Sequence, residues 1–295
     1  MSDPGPTVLA VGATGRLAGL VVTELARRGA RVRGLVRDES DGPRVRERGA
    51  DEIAVGDLRD PGSLEAAARG ADGVFHIGPA FHPDEARLGV NMVEAARHAG
   101  ARSFVFSGVI HPGNGLSNHA PKLPVEQAMF ASGMRFTSLQ PARLYQNLGR
   151  SLNAVRERGE FGEPFSVTAK IGWVDYRDVA EAAAIALTED GLADGAFELC
   201  AGVLDRHDIA ATMSDVLGRP VKPTEPTFDD WATTVGPPLP YGAQQLRRVA
   251  DMCAFYDEHG LPGNSLVLRT ILGREPRTLR RYLQDFVDGV PTEAS

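Results

Sequence analysis

Cysteine is nearly absent. Cys200 and Cys253 are the only two among 295 residues, too few for a disulfide framework or a four-ligand zinc site. A reducing, cytoplasmic setting is therefore the default expectation. Positive charge is also scarce: 32 Lys and Arg stand against 39 Asp and Glu, a formal net charge of −7. Nucleic-acid binders need clustered Lys and Arg to displace counterions. Here the arginines are scattered among acidic residues along helical stretches, which reads as solvated surface. No apolar run approaches the roughly 20 residues of a membrane-spanning helix. The opening "MSDPGPT" is a short polar lead into a strand and not a secretory signal. The seven histidines show no metal-ligand spacing. The G-x-S-x-G elbow of a hydrolase is missing as well. A small-molecule substrate is expected, with nucleic acid, membrane and metal set aside.

What remains is the composition of a globular protein, 42% hydrophobic and 24% charged. The length allows one large domain with a sizeable core. In the first 140 residues, short Val-, Ile- and Phe-rich runs alternate with helical runs. "TVLAV" (7–11), "RVRGLV" (31–36), "EIAV" (52–55), "GVFHI" (73–77), "SFVFS" (103–107) and "RFTSLQ" (135–140) are the strand candidates. They lack strict alternation, as strands covered on both faces do. Helix candidates such as "AGLVVTELARRG" end on glycine. This alternation predicts an α/β fold with a doubly wound parallel sheet. After Gln140 helical segments dominate, with short extended pieces such as "AFELC". The Pro- and Gly-rich stretch 219–242 predicts a long loop holding a short helix. The expected layout is a nucleotide-binding domain over 1–145. A smaller, mostly helical substrate-binding part over 146–295 is interleaved with it.

The most informative stretch is "VLAVGATGRLAGLVVTELARRGARVRGLVRD", residues 8–38. Gly12, Thr14, Gly15 and Ala18 form G-x-x-G-x-x-A between a strand and a helix. Glycine lets the backbone turn tightly and approach a pyrophosphate, and the helix start presents free N–H groups to it. The position inside a βαβ unit raises this above a lone glycine pattern. No Gly-Lys-Ser/Thr follows, which argues against phosphoryl transfer. Arg37 ends the second strand where an acidic residue would bind ribose hydroxyls, so it favours the 2′-phosphate of NADP. The plain alternative is a surface arginine balanced by Asp38 and Glu39. Asp57 and Leu58 follow the third strand, placed to accept from an adenine amino group and to pack on its ring. Asp60 or Ser63 is expected to cap the next helix.

Several blocks then occur in family order: "GATGRLAG", Arg37, "GDLRDPGSL", "NMVEAARHAGARSFVFSGV", "KLPVEQAMFASGMRFTSLQPARLYQNL", "GWVDYRDVAEAAAIAL" and "IAATMSDVLGRPV". Over roughly residues 7–290 the chain resembles the NmrA-like atypical short-chain dehydrogenase/reductases. That resemblance implies a Rossmann fold and NADP(H). It places Gly12, Thr14, Gly15, Arg16 and Leu17 at the pyrophosphate, and Arg37, Asp57 and Leu58 at the adenosine end. Ile77, Gly78 and Pro79 would lie under the ribose and Lys122 on it. "ARLYQN", including Tyr145 and Asn147, would run beside the nicotinamide.

The resemblance also exposes a gap. The wider family pairs Lys with a Tyr four residues earlier, which donates the proton. Here that position is Asn118, an amide that cannot be the acid. The candidates for the role are His119, His111 and Tyr145, with Ser107 as a partner for a substrate carbonyl. A histidine suits acid chemistry near neutral pH. For each, a wall residue with satisfied hydrogen bonds is the alternative. Asp175 and Asp178 are read as cap and first-turn acid of one helix rather than a catalytic pair. The leading expectation is an NADPH-dependent oxidoreductase acting on a small enone, quinone or carbonyl compound. A redox-sensing regulator that binds NADP(H) without turnover is the rival, and a scaffold with a vestigial site is a third reading. A homodimer or a protein partner stays open, the stretch 219–242 being the candidate partner surface.

Overall fold

The computed structural model describes residues 5–234 and 241–293. Every apolar run singled out in the first 140 residues is a strand. In chain order the first half reads β1 (Thr7–Ala10), α1 (Arg16–Arg27), β2 (Arg31–Val36), α2 (Gly42–Glu47), β3 (Glu52–Val55) and α3 (Pro61–Ala68). It continues with β4 (Gly73–Ile77), α4 (Glu85–His98), β5 (Ser103–Ser107), α5 (Leu123–Ala131) and β6 (Arg135–Pro141). The second half holds β7 (Arg143–Leu144), α6 (Gly149–Arg158), β8 (Glu160–Gly162), β9 (Ile171–Val174), α7 (Tyr176–Thr188) and β10 (Gly195–Leu199). β11 (Gly202–Leu204), α8 (Arg206–Leu217), β12 (Lys222–Thr224) and α9 (Phe228–Thr234) follow. The last helices are α10 (Ala243–His259), α11 (Leu266–Leu272) and α12 (Leu279–Val287).

Seven parallel strands make the main sheet in the order β10-β6-β5-β4-β1-β2-β3. β1 shows why its sequence lacks alternation. Val8 and Ala10 pack into a core with Val21, Leu25 and Ala183, while Leu9 and Val11 pack into a second core with Leu64, Met92 and Phe104. Both faces are covered, so both sets of side chains are apolar. The chain order reverses between β1 and β4. In a doubly wound sheet the carboxyl ends of those two strands border the ligand crevice.

The boundary expected at 145/146 is crossed by the sheet itself. "AFELC" forms β10 and pairs with β6, with Gly195 opposite Thr137. Likewise α7 packs on α1 beneath that sheet. Residues 176–199 thus belong with the main sheet, and α11 packs on α7 and β10 as well. Two small sheets, β11-β9-β7 and β12-β8, lie in the second half. The stretch 219–242 contains α9 as its short helix, and residues 235–240 lie outside the described residues. No helix among the described residues is long and apolar enough to cross a membrane. Nor do three or more His, Cys, Asp or Glu side chains among them gather as a metal site would require.

Candidate active site

The glycine turn leaves β1 with Gly12 at φ 80, a left-handed conformation that costs glycine little. Gly15 N donates to Gly12 O at 2.7 Å and closes the turn. A Cβ on Gly12 would stand 3.1 Å from Ile77 Cγ2, so the turn also fits tightly against β4. Gly15 is the N-cap of α1 and offers no side-chain acceptor, which leaves the helix start to a ligand. Two arginines that sequence reasoning missed clasp the other side. Arg44 Nη2 donates to Thr14 O at 2.8 Å, and Arg48 Nη1 donates to the carbonyls of Ala13 and Gly15. Nothing in "GPRVRERG" marks this in the sequence, because helix surfaces commonly carry arginine.

Arg37 is exposed just past β2, beside Asp38, which caps the turn through Ser40 N. Asp57 accepts from Arg59 N at 2.8 Å through Oδ1, and Leu58 O accepts from Asn91 Nδ2 at 2.9 Å. Asp60 caps α3 by accepting from Gly62 N and Ser63 N. The adenine assignment of Asp57 and the helix cap therefore occupy different residues and do not compete.

From Arg16 and Leu17 a cavity of about 1120 Å³ runs past Ile77 and Gly78 to Ser107, Asn118 and Lys122. Asn147 lines it, while Pro79 does not and is exposed. Lys122 Nζ is 2.6 Å from Glu85 Oε1 and donates to Asn118 O, also at 2.6 Å. Glu85 is only 4% exposed. Burial raises its pKa, and the Lys122 ammonium pulls it back in part. Glu85 was not foreseen. In "HPDEARLGV" it reads as an ordinary first-turn acid of α4, and only the tertiary fold turns it onto Lys122.

The proton-donor candidates separate sharply. Tyr145 does not line the cavity; it stacks on Trp173 at 6.0 Å and packs on Tyr282 at 5.7 Å. It is 2% exposed, and burial raises its pKa. The "ARLYQN" strip turns Tyr145 inward and sends Asn147 to the cavity, so Tyr145 is a core residue. His111 is also off the cavity. Its Nδ1 meets Glu198 Oε1 at 2.6 Å and its Nε2 meets Pro262 O at 2.8 Å, a clip between the end of β5 and the C-terminal part. His119 does line the cavity but is 1% exposed, and burial drives its pKa down to about 4. Near neutral pH it is a neutral ring, which corrects the expectation of a ready imidazolium acid.

Ser107 stands where expected, at the end of β5 on the cavity wall. Its partner was missed. Tyr176 OH donates to Ser107 Oγ at 3.0 Å, with Tyr176 1% and Ser107 3% exposed. Tyr176 opens α7 between Asp175 and Asp178, and those acids drew attention away from it. Asp175 caps α7 through Arg177 N, and Asp178 sits in its first turn, paired with Arg274 and Arg277. Both acids serve the helix, as their spacing indicated.

The wall tests well against a dinucleotide. Glu85 Oε2 and Asn118 Oδ1 are buried acceptors with no donor among the described residues, on either side of a buried ammonium. A ribose offers hydroxyl donors to such acceptors. The fold, the glycine turn at its switch point and this lysine define a dinucleotide-binding Rossmann protein. The chain matches the NmrA-like family over residues 5–286, and it belongs to that family. It is 35% identical over 225 residues to the NAD(P)H azoreductase of Xenophilus azovorans, covering 73% of this chain and 75% of that one. The NADPH-dependent quinone oxidoreductase of Escherichia coli, solved with NADPH, superposes with a TM-score of 0.82 at 23% identity. That match covers 95% of this chain and 99% of the other. Nmra, a negative transcriptional regulator solved with NAD, superposes with a TM-score of 0.77 at 18% identity, covering 98% and 97%. At these identities the two structures speak to the fold alone.

Proposed function

We propose that this protein is an NADPH-dependent oxidoreductase that reduces a small, flat quinone, enone, azo or carbonyl-type compound. One observation carries the reading: a single cavity joins the start of α1 and Lys122 to an apolar chamber walled by Trp231, Tyr241, Val249 and Met252. Such a space holds the reactive half of a dinucleotide and an acceptor side by side. The relative from Xenophilus azovorans, an NAD(P)H azoreductase, points the same way.

Bound there, the nicotinamide supplies hydride. The turn Gly12–Gly15 and the start of α1 hold the pyrophosphate, with Arg16 and Leu17 over it. Arg37 takes the 2′-phosphate, and Lys122 and Glu85 hold the ribose. Ser107 presents its hydroxyl to the acceptor atom that gains electrons. Because Tyr176 O–H already donates to Ser107 Oγ, the hydroxyl hydrogen of Ser107 is released to point into the cavity. Ser107 then gives its proton to the reduced acceptor as Tyr176 passes its own to Ser107, and water entering the cavity after product release returns one proton to the pair through Ser107. Burial raises the Tyr176 pKa and makes it a weak acid, so the relay serves acceptors whose reduced form is a strong base, while a stabilised anion needs it least. This accounts for reduction without the tyrosine that Asn118 replaces.

The test is NADPH oxidation, followed by absorbance, against a panel of quinones, azo dyes and enones. Turnover well above the no-acceptor rate supports the assignment. Tight NADPH binding with no turnover on any acceptor overturns it. That outcome favours the regulator reading, which the Nmra likeness and Asn118 keep in view.

A further inference from the structure

Beyond Lys122 the cavity also reaches two arginines, Arg143 and Arg150, and the Glu163 carboxylate. Arg143 lines it, with its side chain 10% exposed, and pairs with Glu163, itself 4% exposed, at 2.8 Å. A second buried arginine shares that carboxylate's field. Arg206 is 3% exposed and lies with its guanidinium 4.8 Å from the Phe165 ring, whose other neighbour is Arg143 at 5.6 Å. Burial and the Arg143 charge lower the Arg206 pKa to about 10, against the pull of Glu163 and Glu225. Arg143 holds the ion pair with Glu163, while Arg206 donates to Thr224 O at 2.9 Å.

The hydrogen-bond count agrees with the charge count. Arg143 Nη1, Arg206 Nη2, Arg150 Nε and Trp231 Nε1 are buried donors with no acceptor among the described residues. Arg143, Arg150 and Trp231 belong to residues lining the cavity. A buried donor left unpaired is destabilising, more so when it is charged. A fold keeps such a surplus where a ligand supplies the acceptors. The surrounding walls, Trp231, Tyr256 and Val249, are flat or apolar.

We propose that the far chamber is a subsite for an organic anion, and that the acceptor is an aromatic compound carrying a carboxylate or sulfonate held at Arg143. The oxyanion completes the arginine's hydrogen bonds while the ring lies along the apolar wall toward Ser107. Guanidinium recognises such groups through paired N–H donors. This rests on the reductase reading for turnover, but binding tests it independently.

Two measurements decide it. The first is calorimetric titration of the protein with 2-naphthoate, 2-naphthalenesulfonate and neutral 2-naphthalenemethanol, with NADP present. The acids are expected to bind at least 10-fold more tightly than the alcohol. The second uses the variant Arg143→Met combined with Glu163→Gln, which removes the ion pair as a unit and whose folding is checked by its thermal melt. In it the acid-to-alcohol ratio is expected to fall to within about 2-fold. Equal affinities in the wild type, or an unchanged ratio in the folded double variant, overturn the proposal. Where quinones are turned over, a naphthoquinone sulfonate should exceed its unsulfonated parent in kcat/KM, and the double variant should erase the difference. Anion selectivity in binding without turnover would uphold the subsite and sink only the reductase reading.

Discussion

Tyr176 and Ser107 lie 69 residues apart in the chain and meet at 3.0 Å, hydroxyl to hydroxyl, on the wall of the cavity. β5 delivers the serine at its carboxyl end, and the first turn of α7 delivers the tyrosine. Their order matters: the tyrosine donates, so the serine keeps its hydrogen for the ligand. If the pair moves the proton, Ser107→Ala should lower kcat on a carbonyl or azo acceptor by about 100-fold. Tyr176→Phe should cost about 10-fold, since Ser107 can still donate. A benzoquinone, whose reduced anion is stable, should lose less than 5-fold in either variant. Equal losses on all acceptors would assign the pair to packing instead.

Lys122 and Glu85 give a second prediction. Lys122→Met leaves a carboxylate that is 4% exposed without its cation. Loss of one partner of a buried ion pair costs about 3–5 kcal/mol, so the melting temperature should drop by several degrees. Adding Glu85→Gln should recover most of that stability, while NADPH affinity stays at least 10-fold weaker than wild type. Recovery of affinity along with stability would remove Lys122 from the ribose site.

Arg37 tests cofactor choice. Arg37→Ala should weaken NADPH binding by 10-fold or more and leave NADH within about 2-fold, because only NADPH carries the 2′-phosphate. Titration by fluorescence of the reduced nicotinamide measures both. A parallel loss of the two would withdraw the assignment. If NADPH selectivity persists, Arg44 and Arg48, which clasp the same turn, become the next positions to change.

Buried histidines set the acid limit. His76 is 0% exposed between Phe104 and Phe106, neither ring nitrogen has a partner among the described residues, and burial lowers its pKa to about 4. His119 is lowered to about 4 as well. A histidine depressed in the fold takes up its proton first in the unfolded chain. Stability is therefore full above the unfolded pKa of about 6.5 and declines as pH falls toward 4. His76→Leu removes one such group and two unpaired polar atoms. It should raise the melting temperature at pH 5 and flatten its fall between pH 6.5 and pH 4.5. A slope unchanged from wild type would show that His76 is already paired in solution.

The architecture was legible because its signals are local. Strand–turn–helix alternation follows from which faces are buried, and Gly12 and Gly15 are demanded by a turn only a few residues long. The caps of α3 and α7 are local in the same way, and Asp60 and Asp175 could be read directly. The placement of "AFELC" was not legible, since an edge strand of five residues looks alike in any sheet and its partner β6 lies far back in the chain.

By itself, then, the sequence determined a parallel α/β sheet, a glycine turn after its first strand and an arginine just past its second. Backbone conformation and hydrophobic period are properties of neighbouring residues. Tertiary structure alone decided the chemistry. It turned Tyr145 into the core, tied His111 to Glu198 and Pro262, and buried His119 as a neutral ring. It also brought Glu85 to Lys122, Tyr176 to Ser107 and Arg143 to Glu163. Side-chain direction and long-range pairing depend on how whole elements pack, and no spacing within one segment encodes them.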